Sequence, residues 1–215
     1  VAEVMFTTGS TGTPKGVVLT HRNIVASARN ITEFVGNTAS DREVLPLPLS
    51  HSFGLGRLRS CLSVGAQVQL VDGFRLPGRV VEAITSSGAT GFASVPAGFA
   101  LMLQLFGDEF GKIGSNFNYV EIGSAPMPLG HKNKLMELFP STRLCMHYGS
   151  TEASRSSFIE FHSSREFLET AGSAAPNVDL KIIVDEGALS ESNVAGQVAV
   201  RGDHVARGYW NDEKS

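Results

Sequence analysis

The stretch Phe6-Thr7-Thr8-Gly9-Ser10-Thr11-Gly12-Thr13-Pro14-Lys15-Gly16 holds three glycines, five hydroxyl side chains, one proline and one lysine in eleven residues. A loop so composed is narrow, and its backbone N–H groups can approach an anion closely. The hydroxyls add donors, and Lys15 adds a mobile positive charge. This set of groups suits a polyphosphate. The loop is not of the G-x4-G-K-S/T kind, because Pro14 stands where that pattern needs glycine and Gly16 where it needs Ser or Thr. Nor does it follow the dinucleotide pattern G-x-G-x-x-G.

Apolar segments flank the loop, Val1 to Phe6 before it and Val17-Val18-Leu19 after it. It therefore reads as a turn inside a fold rather than as a Gly/Ser/Thr linker. Further along, short apolar runs alternate with helical periodicity. Ile24, Ala28, Ile31 and Val35 fall on one face of a helix with Thr20 as N-cap. Pro77 opens a second helix with Val80, Val81 and Ile84 inward, and Pro96 a third with Phe99, Leu103 and Phe106 inward. A fourth carries Leu135, Leu138 and Phe139. Between these, Val44–Leu47, Val68–Val71, Phe92–Val95, Tyr119–Ile122 and Arg143–His147 read as strands. Their continuous apolar runs fit parallel strands covered on both faces. The order predicts an α/β domain over residues 1–155, a layered parallel sheet with flanking helices. After that the pattern changes. Ser156–Phe161, Val178–Val184 and Gln197–Arg201 read as strands with no long helix between them, and Asp185–Asn193 as a polar hairpin loop. Residues 156–215 are expected to form a small β-rich subdomain.

Of the 215 residues, 42% are hydrophobic and 18% charged, enough for a real core. A net charge of −3 gives no reason to expect nucleic acid or an anionic membrane as partner. Cys61 and Cys145 lie far apart in apolar segments and read as buried free thiols, without metal spacing. No signal peptide is evident, and no apolar run approaches the ~18 residues of a membrane span. A reducing cytoplasm is the expected compartment.

Open α/β sheets bind ligands at the carboxyl ends of their strands. Three polar, glycine-containing clusters follow predicted strands: Ser50-His51-Ser52-Phe53-Gly54, Gly123-Ser124-Ala125-Pro126 and Tyr148-Gly149-Ser150-Thr151-Glu152. Topology alone should bring them to one cleft. Tyr148 can stack on a purine, Thr151 can donate to a phosphate oxygen, and Glu152 is a hard oxygen ligand suited to Mg2+. The plainer alternative makes Tyr148 a strand-end core residue and Glu152 a solvated carboxylate at a helix start.

Every position of the opening stretch meets the pattern aromatic-Thr-Ser/Thr-Gly-Ser/Thr-Thr-Gly-x-Pro-Lys-Gly. The chain thereby resembles the adenylate-forming (AMP-binding) superfamily of acyl-CoA synthetases, luciferases and peptide-synthetase adenylation domains, and most of all the acyl-CoA synthetases. The last cluster resembles the Tyr-Gly-x-Thr-Glu motif of that family. The resemblance implies that Thr8, Gly9, Ser10, Thr11, Gly12, Thr13 and Lys15 hold the phosphates of ATP. It places Gly123, Ser124, Ala125 and Pro126 between the acyl pocket and the adenine, and packs Tyr148, next to Gly149, on the adenine. Thr151 then contacts the α-phosphate and Glu152 holds Mg2+, which makes Lys15, Thr151 and Glu152 the catalytic set. His51, Phe53 and Gly123 line the pocket for the carboxylic acid. Gly196 to Gly202 and Gly208-Tyr209-Trp210-Asn211 resemble a later family segment, with Gln197 where glutamate is usual and Arg201 read as structural. His21, His131, His147, His162 and His204 have no ligand-like spacing and are assigned no role.

The implied reaction is attack of a carboxylic acid on Mg·ATP, giving an acyl-adenylate and pyrophosphate, with the acyl group then passed to the thiol of CoA. The alternatives are an adenylation domain that loads a carrier protein and a non-catalytic nucleotide- or ligand-binding module. Family members continue past Gly-Tyr-Trp to a ribose-binding aspartate and a mobile C-terminal domain with a lysine. Without these, the 215-residue chain is expected to bind ATP weakly and to form little acyl-adenylate.

Overall fold

The computed structural model describes residues 1–7, 14–184 and 194–212. Strands β1 (Glu3–Thr7) and β2 (Lys15–Leu19) form an antiparallel pair in which Thr7 stands opposite Lys15. The phosphate loop expected between them, Thr8 to Thr13, lies outside the described residues, as does the expected hairpin loop 185–193. Helix α1 (His21–Val35) follows. The Thr20 side chain accepts from the Asn23 backbone while the Asn23 side chain accepts from the Thr20 backbone, so two otherwise orphaned donors are satisfied. Gly36, at φ +82°, closes the helix in the left-handed conformation that glycine tolerates best.

The layered core comes next. In chain order it contains β3 (Arg42–Leu45), α2 (Ser52–Val64), β4 (Gln67–Leu70), α3 (Pro77–Ser87) and β5 (Gly91–Ser94). It continues with α4 (Pro96–Phe106), α5 (Glu109–Ile113), β6 (Tyr119–Ile122), α6 (Leu129–Leu138) and β7 (Arg143–Tyr148). β8 (Ser157–Glu160) and β9 (Ser173–Ala174) complete a seven-stranded sheet in the order β4-β3-β5-β6-β7-β8-β9. The first five strands of that order are parallel, and β8 and β9 are antiparallel additions at one edge. β8 therefore extends the large sheet instead of opening a separate β-rich layer at residue 156. No helix separates it from β7, and a short connection can only return a strand antiparallel. Beyond it, β10 (Asp179–Ile183) and β11 (Gln197–Arg201) form their own two-stranded ribbon, with Arg201 paired to Asp179 across it. The last strand, β12 (Gly208–Tyr209), pairs with β2. No helix among the described residues is long and apolar enough to cross a membrane.

The chain leaves β3 for β4 in one direction and returns past β3 to β5 in the other. Right-handed crossovers then put α2 on one face of the sheet and α3 to α6 on the other. The strand side chains sort accordingly, with a period of two. Val44, Phe92, Val120, Ile122 and Leu144 pack with Ile84, Phe99, Phe110 and Leu135 of the second face. Leu45, Tyr119 and Cys145 turn toward α1 and α2, where Ile31, Val35 and Phe53 cover them. Both thiols are free and buried, and burial pushes each up to about 12.

Candidate active site

The face under α2 carries charge as well as hydrocarbon. Glu43 of β3, Glu121 of β6 and Arg57 of α2 are fully buried together. The Arg57 guanidinium donates to Glu43, Nε to Oε1 at 3.0 Å, and lies 3.2 Å from Oε2 of Glu121. Tyr119 donates its hydroxyl to Glu43 at 2.9 Å. Arg155, which follows β7, brings its Nε within 3.0 Å of Oε1 of Glu121 and donates to the backbone carbonyls of Ser52 and Phe53. His147 closes the group, with Nδ1 2.7 Å from the same Glu121 oxygen. Charged side chains are almost never so buried unless paired, and here each has an opposite charge against it.

These contacts set the proton affinities. Burial opposes the charge of Glu121, but Arg155, His147 and Arg57 outweigh it and hold the carboxyl well below the usual range. Burial and then Arg155 hold His147 below its ordinary 6.5, against the pull of Glu121. The unfolded chain takes up a proton near pH 6.5 that the folded His147 resists, so its contribution is whole above that pH and is lost as pH falls further. Glu121 adds a second loss below its ordinary 4.5. His204, also held low by burial, acts in the first window. The diagnostic is therefore the difference between wild type and His147→Phe. Urea midpoints should fall more steeply for wild type than for the variant as pH drops from about 7 to 5. Parallel curves would remove His147 from this account.

Two cavities open above this network, at the carboxyl ends of β6 and β7. The larger, about 610 Å³, is lined by Ser124, Ala125 and Pro126 on one side and by Tyr148 and Gly149 on another. Tyr148 is half exposed, which leaves its ring open to a ligand. The smaller, about 200 Å³, includes Phe53, Ser124, Gly149 and Thr151. His147 lines both. The three loops thus meet as topology demands. Two residues in their walls are strained: Ser124 at φ +72° and Arg155 at φ +57° adopt the left-handed conformation without being glycine. Such outliers concentrate at functional sites.

His51 and Gly123 stand apart from both cavities. His51 is the exposed N-cap residue of α2 and makes no capping hydrogen bond with its side chain. Gly123 is buried beneath the His147 ring, where any Cβ would run into that ring. The ring in turn is fixed edge-on against Phe53, with centroids 4.6 Å apart. Gly123→Ala should therefore lower stability by about 1–3 kcal/mol through overpacking and should slow all acids alike. A loss confined to bulky acids, with an unchanged melting temperature, would instead put Gly123 in the pocket wall.

The remaining pair meets at a residue to which the sequence assigned no role. Glu152 accepts a hydrogen bond at Oε1 from the Tyr209 hydroxyl, 2.8 Å away. Lys15 lies over the ring of the same Tyr209, 4.7 Å from its centroid, and 3.9 Å from Asp212. Burial opposes ionisation of Glu152, but bonds from Tyr209, its own backbone and Ser150, together with the Lys15 charge, hold its carboxyl below the ordinary value. β12 is what brings Tyr209 here, through its pairing with β2. His147, Glu121 and Arg155 were missed as well. Glu121 interrupts the otherwise apolar run of β6, and a carboxylate in such a strand calls for a buried cation. That signal was available.

The fold is shared with known proteins. An acyl-CoA ligase, sidI of Aspergillus fumigatus, is 32% identical over 216 residues, covering 99% of this chain and 36% of that protein. Among solved structures, o-succinylbenzoate CoA synthetase (MenE) from Bacillus subtilis with the acyl-adenylate intermediate OSB-AMP gives a TM-score of 0.88 at 29% identity, over 98% of this chain and 42% of that one. The same enzyme in complex with ATP and magnesium ion gives 0.87 at 29% identity, over 98% and 43%. The chain spans well under half the length of the curated relatives it matches. Residues 1–210 match the family model described as AMP-binding enzyme, and the chain belongs to that family.

Proposed function

We propose that the full-length protein activates a carboxylic acid with ATP, releasing pyrophosphate, and passes the acyl group to the thiol of CoA. The observation that carries this reading is the meeting of Phe53, Ser124, Gly149 and Thr151 around one small cavity, inside a chain matched over residues 1–210 by the AMP-binding family. A carboxylate attacking the α-phosphorus is opposed by like charge, so a catalyst must neutralise and position both partners. Lys15 supplies a positive charge at the start of β2, where the phosphate loop ends. Thr151 supplies a hydroxyl at the rim of the small cavity. Tyr148 offers an open ring face to a purine in the larger one.

The residues present fit a magnesium ion. Glu152 is a partly buried carboxylate held in its charged form, the hard oxygen donor that Mg2+ prefers. Among the described residues no group of three or more His, Cys, Asp or Glu is placed to hold a metal, so one protein carboxylate would act with phosphate and water oxygens. When bound, the ion would neutralise phosphate charge. Glu152→Gln should raise the Mg2+ concentration needed for half-maximal activity about tenfold or more, because a neutral amide is a far weaker ligand. An unchanged Mg2+ titration would make Glu152 a partner of Tyr209 only.

Pyrophosphate exchange by the full-length protein tests the whole reading. Exchange that requires an added carboxylic acid, followed by acyl-CoA formation, supports it. Acid-dependent exchange with no use of CoA would point to a carrier-protein thiol. ATP binding without exchange under any acid would make the protein a binding module.

A further inference from the structure

Lys15 and Glu152 carry opposite charges, yet they do not pair with each other. Lys15 lies over the Tyr209 ring, 4.7 Å from its centroid, and reaches Asp212 at 3.9 Å. Glu152 accepts at Oε1 from the Tyr209 hydroxyl, 2.8 Å away. One side chain thus meets both charges, the cation through its ring face and the carboxylate through its hydroxyl. The Lys15 charge acts on Glu152 less than do the bonds from Tyr209, the backbone or Ser150, as expected of charges held apart. Tyr209 lines neither cavity, so it acts through these neighbours rather than on a ligand.

The backbone fixes where this side chain stands. Arg207 and Trp210 donate their backbone N–H groups to the carbonyls of Val18 and Gly16 in β2, at 3.1 and 2.7 Å. Ala206 donates likewise to the Glu152 carbonyl at 2.7 Å. Residues 206–210 are therefore bonded to the strand of Lys15 and to the loop of Glu152 alike. Tyr209 stands opposite Val17 in this register. Asn211 follows at φ +57°, a left-handed turn that asparagine tolerates, and Asp212 returns to Lys15.

Opposite charges on neighbouring segments draw together, and a direct pair would leave less of each for a phosphate or a metal ion. We infer that Tyr209 is a positioning residue that prevents this collapse: its ring seats the Lys15 ammonium and its hydroxyl orients the Glu152 carboxylate, so that both stay available to Mg·ATP. This rests on the roles given to Lys15 and Glu152 in the proposed function. The two contacts can be separated by substitution. Phenylalanine keeps the ring and loses the hydroxyl, and leucine loses both.

The test uses the full-length protein with Tyr209→Phe and Tyr209→Leu. It reads ATP binding by calorimetry in EDTA, and pyrophosphate exchange across a Mg2+ titration. Tyr209→Phe should bind metal-free ATP within about twofold of wild type, yet need about three- to tenfold more Mg2+ for half-maximal exchange, the worth of one hydrogen bond. Tyr209→Leu should also weaken metal-free ATP about two- to fivefold, the worth of one cation–π contact. Placed in a Lys15→Ala background, Tyr209→Leu should no longer weaken ATP, because the ring has no ammonium to seat. A merely structural role would weaken it in both backgrounds alike, and that result overturns the inference. So does a Tyr209→Phe titration that matches wild type, an arm that stands even where Tyr209→Leu does not fold. ATP affinity unchanged by Lys15→Ala removes Lys15 from the phosphates and the inference with it. Wild type without acid-dependent exchange overturns the acid-activating reading instead, and the metal-free ATP measurements then still decide whether the ring seats Lys15.

Discussion

Arg57→Met should destabilise the protein by about 3–5 kcal/mol, because it removes the cation shared by two buried carboxylates. Arg57 is fully buried and meets both Glu43 and Glu121. Methionine keeps an unbranched, flexible stem and fills most of the space, so the loss is mainly one of charge. Glu121 keeps Arg155, whereas among the described residues Glu43 retains the Tyr119 hydroxyl and the Cys61 thiol alone. A loss of that size is a large fraction of the ~5–15 kcal/mol that stabilises ordinary domains. Pairing the change with Glu43→Gln should recover part of it, since the orphaned carboxylate goes too. Urea unfolding of wild type, single and double variants decides the matter. A single-variant loss below about 1 kcal/mol, or a double variant no better than the single, would mean that Arg57 is not what holds the carboxylates.

Lys15→Ala should act in the opposite way, on chemistry and hardly on stability. In the full-length protein we expect adenylation to fall by about 10²–10³-fold, the usual effect of losing one group that stabilises developing charge. The side chain is 38% exposed, and among the described residues it meets the Tyr209 ring and Asp212, the latter at 3.9 Å. An exposed pair of that kind contributes about 0–1 kcal/mol, so the melting temperature should barely change. Exchange at the wild-type rate by the variant would end the assignment of Lys15 to the phosphates.

Much of the fold was legible because its parallel strands are apolar runs and its helices are punctuated. Tyr119–Ile122 was placed to the residue, and Thr20, Pro77 and Pro96 mark the helix starts they were expected to mark. The strand expected at Val44–Leu47 instead runs Arg42–Leu45. Pro46 and Leu47 are buried and extend the apolar run, but Pro46 has no N–H for the ladder. The reverse holds for Arg42, which is exposed and polar yet pairs with Gln67. The antiparallel place of β8 depends on strand partners far apart in sequence, which local pattern does not encode. At the site, the loops were legible from their composition and topology. Tyr209 was not, because strand pairing of β12 with β2 brings it to Glu152 from 57 residues away. His147 has no metal-ligand spacing in the sequence; its significance lies in the carboxylate two strand positions before Gly123 on the neighbouring strand.

The period-two alternation of the central strands has a consequence for how such a protein can change. Glu43, Tyr119, Glu121 and His147 share the face under α2 with the smaller cavity, while Val44, Val120, Ile122 and Leu144 lie on the far face against α3 to α6. Neighbours in sequence are thus separated by the thickness of the sheet. One side can drift in size and shape to suit a new acid while the other preserves the mechanical frame. A breeder of variants has two nearly independent dials. Repacking around Phe92, Phe99 and Phe110 tunes heat resistance, and the residues beside His147 tune what is accepted.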